Sequence, residues 1–174
     1  MLILRLVDRL NAAITLLVGV LLIIIAGCIL GQVIVRFVLT AFNLNISAPW
    51  TEELARYLLI WMVFLGAGVG CRKMQMISLE FLVRSLPSVP GQALRYGSTI
   101  LCIGFFLLLV NVGLPFVDLG ASESSPVMVI PKSWVYMAMP VGCSLMILNS
   151  FAFMAEAAVE RRDIRTLGDA PSLD

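Results

Sequence analysis

Four stretches of this chain carry almost no formal charge, and their length is the strongest constraint on its fold. Leu10 to Val35 runs 26 residues without an acid or a base. Tyr96 to Val117 and Trp134 to Ala155 are also uncharged, and Leu54 to Cys71 contains only Arg56. A helix rises about 1.5 Å per residue, so each run is long enough to cross a hydrocarbon core of roughly 30 Å. The chain is 60% hydrophobic and only 13% charged, whereas soluble domains carry about 25% charged residues. The residues outside the runs could not wrap four such helices in polar surface. The predicted fold class is therefore an all-α integral membrane protein with four transmembrane helices. Arg5 and Arg9 precede the first run as in a secretory leader, but its apolar stretch is far longer than the ~7–15 residues of such a segment. It is expected to be a retained anchor.

Two residue types narrow the chemistry. Histidine is absent, which excludes a bis-histidine haem bundle, a histidine metal site and a histidine general base. Cys28, Cys71, Cys102 and Cys143 form no close pair, so neither a C-x-x-C redox motif nor a disulfide framework is present. They read as buried free thiols that fill packing space. No cofactor, metal or nucleic-acid partner is expected.

The distribution of Lys and Arg predicts the topology. Arg5 and Arg9, then Arg72, Lys73, Arg84 and Arg95, then Arg161, Arg162 and Arg165 fall on one side of a four-span chain. That is nine of twelve basic residues, and the positive-inside rule places both termini in the cytoplasm. Residues 1–160 are expected to form a single membrane domain, followed by a frayed cytoplasmic tail over 161–174. Asn43, Asn45, Ser47 and Pro49 mark the first connection as a turn. Residues 77–86, "ISLEFLVRSL", suggest a short interfacial helix between the second and third spans, with an irregular loop as the alternative. The outer segment 118–134 is Ser-rich and then apolar between two prolines.

The second span opens on Trp50, Glu52, Glu53 and Arg56. At ~100° per residue, Glu52, Arg56, Val63, Gly66 and Gly70 share one helix face. Gly66-x-x-x-Gly70 would allow close approach of a neighbouring backbone, so this face is expected to meet protein, not lipid. Glu52 and Arg56 stand in the favourable i, i+4 order and Glu53 lies at i, i+3, with both acids in the first turn, where the helix dipole favours negative charge. Two carboxylates could instead bind a cation. They sit at the membrane edge, however, not at the midplane where transporter sites form. Assembly is the preferred reading.

Deeper polar residues are neutral. Gln32, Asn111 and Asn149 are expected to make interhelical hydrogen bonds, and Gly27-x-x-x-Gly31 offers a second small-residue seam. Trp50 and Trp134 read as interface anchors, Trp61 as a packed residue, and Pro140 as a kink in the fourth span. Arg36 could snorkel to headgroups or pair with Glu52 or Glu53.

These residues resemble a known family. "WTEELARY" (50–57), "WMVFLGA" (61–67) and Arg72 look like the central motif of the small membrane subunit of TRAP transporters, the tripartite ATP-independent periplasmic transporters of DctQ-like type. "SPVMVIPKSWVYMAMPVGCSLMIL" (125–148), with Pro131, Trp134 and Pro140, is similar to the family's second signature. One departure stands out: Met76 occupies the place before Ile77 where the family usually has histidine. The resemblance implies a multi-pass protein of the bacterial inner membrane. It would serve a sodium-gradient-driven symport system for organic acid uptake, with a large membrane subunit and a periplasmic substrate-binding protein as partners besides lipid. It further implies a non-catalytic scaffold. An autonomous four-helix transporter is the alternative, although that class needs a membrane-embedded carboxylate and none lies between Leu10 and Val35. An enzyme would have only Glu52 and Glu53 for acid–base work, with no nucleophile nearby.

Overall fold

The structure is a computed structural model and describes residues 2–39, 49–73 and 86–160. The expected turn around Asn43 to Ser47, nearly all of the 77–86 segment, Met76 and the 161–174 tail lie outside the described residues. Five helices follow in chain order. They are α1 (Leu2–Val33), α2 (Pro49–Lys73), α3 (Ser88–Ala121), the single turn α4 (Ser133–Tyr136) and α5 (Ala138–Glu160). The last turns of α1 widen into π geometry over Ile34–Leu39. Four segments are long and apolar enough to cross a membrane: Leu4–Phe37, Pro49–Arg72, Val89–Ala121 and Ser133–Ala157. The helices extend beyond the uncharged runs at several ends, because a helix can carry charged residues past the hydrocarbon boundary when their side chains reach headgroups or one another.

Contacts along the bundle show the direction of each helix. Gln32 of α1 meets Thr51 of α2 at one end, and Asp8 meets Arg72 at the other, so these helices are antiparallel. Phe64 abuts Gly142 and Gly68 abuts Leu145, so α2 and α5 run parallel. Arg95 lies over Phe153 while Gly113 abuts Met139, so α3 and α5 are antiparallel. The beginning of α1, the end of α2 and the end of α5 therefore share one end of the bundle. The hub is α5: 56% of its most apolar window is buried, against 11% for α1 and for α3. The largest fully buried side chains, Phe153, Asn149 and Cys143, all belong to it. The outward faces of α1 and α3 present Ile23, Leu30, Leu101 and Leu108, as expected for helices whose solvent is hydrocarbon.

The fourth span is interrupted at Met137, just before Pro140, whose missing N–H leaves the Tyr136 carbonyl without its i+4 donor. Two other expectations are corrected by this packing. Among the described residues Asn111 makes no interhelical bond; it donates to the Leu107 carbonyl of its own helix from an exposed position. The thiols are not uniformly buried: Cys143 is buried, Cys28 and Cys71 are intermediate, and Cys102 is exposed.

The residues between α3 and α4 form a small hairpin. Ser124 and Pro131 make an antiparallel bridge. Ser125 N–H donates to the Ile130 carbonyl at 2.9 Å, and Lys132 N–H to the Glu123 carbonyl at 2.9 Å. Lys132 Nζ reaches the Glu123 carboxylate at 2.9 Å, closing the stem with an ion pair. Hydrogen bonding to Glu123 also holds the Lys132 amine above its ordinary range.

Candidate functional site

The polar side chains of the bundle gather at its two ends, and the hairpin end holds most of the residues singled out by sequence. Glu53, in the first turn of α2, is 8% exposed. Its carboxylate accepts from the Tyr57 hydroxyl at 2.9 Å and from the backbone N–H groups of Val127 at 3.2 Å and Met128 at 2.9 Å. Charge-assisted bonds of this kind are among the stronger ones available to a side chain. The Ser125 hydroxyl is buried beside Glu53 and Tyr57 without a well-formed hydrogen bond to any described residue. The helix supplies the geometry: Glu53 and Tyr57 stand one turn apart on one face, and the hairpin folds back against that face.

Glu52 points elsewhere. It pairs with Arg56 at 3.1 Å, and both side chains remain about two-thirds exposed. The expected cluster of three charges thus divides. Arg56 pairs with Glu52 and not with Glu53, whose described partners come from Tyr57 and the hairpin. Arg36 is exposed. Trp50 and Trp134 are exposed at 51% and 65%, whereas Trp61 donates its indole N–H to the Trp134 carbonyl at 3.1 Å. Pro131 lies in the exposed hairpin stem.

The expected glycine seam is displaced within this chain. A Cβ on Gly66 would touch only Val18 Cγ1, at 4.0 Å, and one on Gly70 would meet nothing within 4 Å. Gly27 and Gly31 are equally open. The close approach is made by Gly68, where a Cβ would lie 2.5 Å from Leu145 Cδ2, and by Gly142, where it would lie 2.6 Å from Phe64 Cβ. Helical periodicity places these glycines on α2 but does not distinguish the face that meets α5 from the face left open. Glu52, Arg56, Leu59 and Val63 are exposed and lead down to half-buried Gly66 and Gly70.

At the opposite end, Arg72 joins three helices. Its guanidinium contacts Asp8 of α1, with Nε at 3.0 Å and Nη2 at 2.9 Å, and Glu156 of α5 through Nη1. Its side chain is only 12% exposed. Arg72 was expected at an assembly interface, yet its planar fork is spent inside this chain, on two acids at once. One turn further into the bundle, Asn11 and Asn149 exchange amide bonds at 2.6 and 2.8 Å. Asn149 Nδ2 also donates to the Gly68 carbonyl at 2.7 Å, and Asn11 Nδ2 to the Val7 carbonyl at 2.8 Å. All four amide N–H groups of this pair are used, at 6% and 0% exposure. Asn11 and Gly68 were missed by the sequence reading. A signal existed: Asp8 and Asn11 lie one turn apart at the entry to a long apolar run, and polar residues there seldom face lipid.

These arrangements hold helices and a loop together. Three donors converge on Glu53, and both oxygens are engaged, so it acts as a fixed acceptor. The carboxylates at the opposite end are engaged by Arg72.

Comparison with known proteins agrees with this picture of a small helical membrane component. Residues 25–160 match the family described as "Tripartite ATP-independent periplasmic transporters, DctQ component". The chain is 29% identical over 107 residues to a "Putative TRAP transporter small permease protein" of Haemophilus influenzae, covering 62% of this chain and 63% of that protein. It is 31% identical over 107 residues to the "C4-dicarboxylate TRAP transporter small permease protein DctQ" of Rhodobacter capsulatus, covering 59% of this chain and 46% of that one. The matched stretch thus spans less than two thirds of either relative. A third match, at 25% identity over 75% of this chain, is to the "Sialic acid TRAP transporter permease protein SiaT" of Haemophilus influenzae, of which it covers only 20%. With the family match spanning most of the described helices and both sequence motifs, this chain belongs to the DctQ family of TRAP transporter small permease components.

Proposed function

We propose that this chain is the non-catalytic small subunit of a tripartite, sodium-gradient-driven importer of organic acids. In this reading, one membrane domain over residues 1–160 acts as a scaffold for the large transport subunit and helps to dock a periplasmic binding protein. The observation that carries the reading is the family match over residues 25–160. Two longer relatives support a large-subunit partner. The stretch matching this chain is 20% of the SiaT permease protein and 16% of the "Isethionate TRAP transporter permease protein DctMQ" of Oleidesulfovibrio alaskensis, each far longer than a small subunit alone. The basic residues near the Arg72 end support placing that end and both termini in the cytoplasm of a bacterium's inner membrane, with the hairpin outside. The open stripe from Glu52 and Arg56 to Gly66 and Gly70 is the face assigned to the large subunit, because an exposed charge pair above small residues suits a protein neighbour better than lipid.

The test is co-expression with a large TRAP permease subunit from the same organism, followed by purification in mild detergent. The expected result is a stable complex, with uptake in proteoliposomes only when the large subunit and the binding protein are also present. Transport by this chain alone, or failure to recover any large partner, would overturn the proposal.

A further inference from the structure

We propose that the hairpin between α3 and α4 is a strap latched onto α2 by the Glu53 carboxylate, with backbone strain at Val129 opposing the latch. The tip then has a held and a released conformation, and this one side chain sets the balance. The inference stands apart from the proposed transport role, since it concerns only this chain.

Two observations carry it. The first is the latch: Val127 and Met128 both donate their N–H groups to Glu53 Oε2, while Tyr57 occupies Oε1. No helix provides these two amides with a carbonyl, so the carboxylate is what fixes the tip. The second is the residue that follows. Val129 has φ of 54°, and it is the sole non-glycine with positive φ among the described residues. A β-branched side chain is a genuine outlier there and persists only where its surroundings impose the conformation. The imposing groups are those bound to Glu53 on one side and the Ser125 N–H to Ile130 carbonyl bond on the other.

The geometry confines the motion. The Ser124–Pro131 bridge and the Glu123–Lys132 ion pair hold the stem independently of Glu53. Opening the latch therefore frees residues 126–130 while α3 and α4 stay anchored. Val127 and Val129 are already 42% and 72% exposed, so release uncovers little apolar core. Ser125, buried at 2% beside the latch, is placed to donate to the carboxylate as the tip moves.

The experiment is hydrogen exchange on the detergent-solubilised full-length chain, following peptides over 123–132. Exchange at such amides reports the population of the locally opened state. Glu53→Gln keeps the shape but removes the charge. Its oxygen can still face the two amides and its NH2 the Tyr57 hydroxyl, yet a neutral acceptor holds the amides more weakly than a carboxylate. The variant should speed exchange over the tip by about tenfold while leaving the helices unchanged. Val129→Gly, with Glu53 intact, relieves the strain and should slow it by about threefold. In the Glu53→Gln background it should restore part of the protection. Unchanged exchange in Glu53→Gln, faster exchange in Val129→Gly, or a uniform rise across every helix would each overturn the latch. The Val129→Gly arm leaves Glu53 untouched, so it decides the matter even where the glutamine variant does not fold.

Discussion

The packing of α2 on α5 predicts an outcome at Gly68 that helix propensity alone would get wrong. In an isolated helix Gly→Ala is favourable by up to about 1 kcal/mol. Here the new Cβ would lie 2.5 Å from Leu145 Cδ2, 2.8 Å from its Cγ and 3.2 Å from its Cβ. A leucine Cδ can rotate away, but its Cβ cannot without moving the backbone. Overpacking of this kind costs about 1–3 kcal/mol. The resulting shift also pulls the Gly68 carbonyl from Asn149, a bond worth about 1 kcal/mol within a membrane. Set against the propensity gain, Gly68→Ala should destabilise by about 1–3 kcal/mol. The assay is equilibrium unfolding of the purified protein in detergent micelles, run as a double-mutant cycle with Leu145→Ala. Leu145→Ala removes Cγ and Cδ2, the two closest atoms, and leaves only the 3.2 Å approach to Cβ, so the penalty of Gly68→Ala should shrink markedly in that background. An undiminished penalty in the Leu145→Ala background would refute the steric argument, because two groups that collide must couple.

Three further outcomes follow from the same geometry. Gly70→Ala meets nothing within 4 Å in this chain, so it should leave the isolated subunit unchanged or slightly more stable; a loss of co-purified large subunit in pull-downs would mark this face as the partner seam. Arg72→Ala should destabilise the subunit by about 1–3 kcal/mol in the same unfolding assay, since it strands the partly buried Glu156 as well as Asp8. Arg72→Lys should recover only part of that, because a single ammonium cannot reproduce the fork. For the amide pair, Asn11→Leu or Asn149→Leu alone should each cost more than about 1 kcal/mol, with the double variant costing less than the sum of the two, because neither leaves the other's amide unpaired.

Much of the architecture was legible from residues in order. The four spans follow from uncharged runs, since hydropathy is a property that each segment carries by itself. An even number of spans puts both ends of the chain on one side, and the structure likewise brings Asp8 and Glu156 together on Arg72. Glu53 was also visible as a carboxylate that needed a partner, though its partner was sought on the wrong residue. The i, i+3 spacing to Arg56 was real, but the choice between Glu52 and Glu53 depended on which side of α2 the hairpin packs against. No local spacing encodes that. Glu52 faces outward with Arg56, and Glu53 faces in toward backbone amides from residues more than seventy positions away.

What the sequence determined by itself is therefore the class of molecule: an all-helical, four-span membrane chain without histidine chemistry, carrying the motifs of a small permease subunit. What only the tertiary structure decided is which polar groups meet. It selected Gly68 over Gly66 and Gly70, paired Asn11 with Asn149, and gave Arg72 to two acids of its own chain. The physical reason lies in the difference between the two kinds of property. Burial in a bilayer is summed along one segment and survives any rotation of the helix. Contact between helices depends on their relative rotation and register, and these emerge only when all the side chains are packed together.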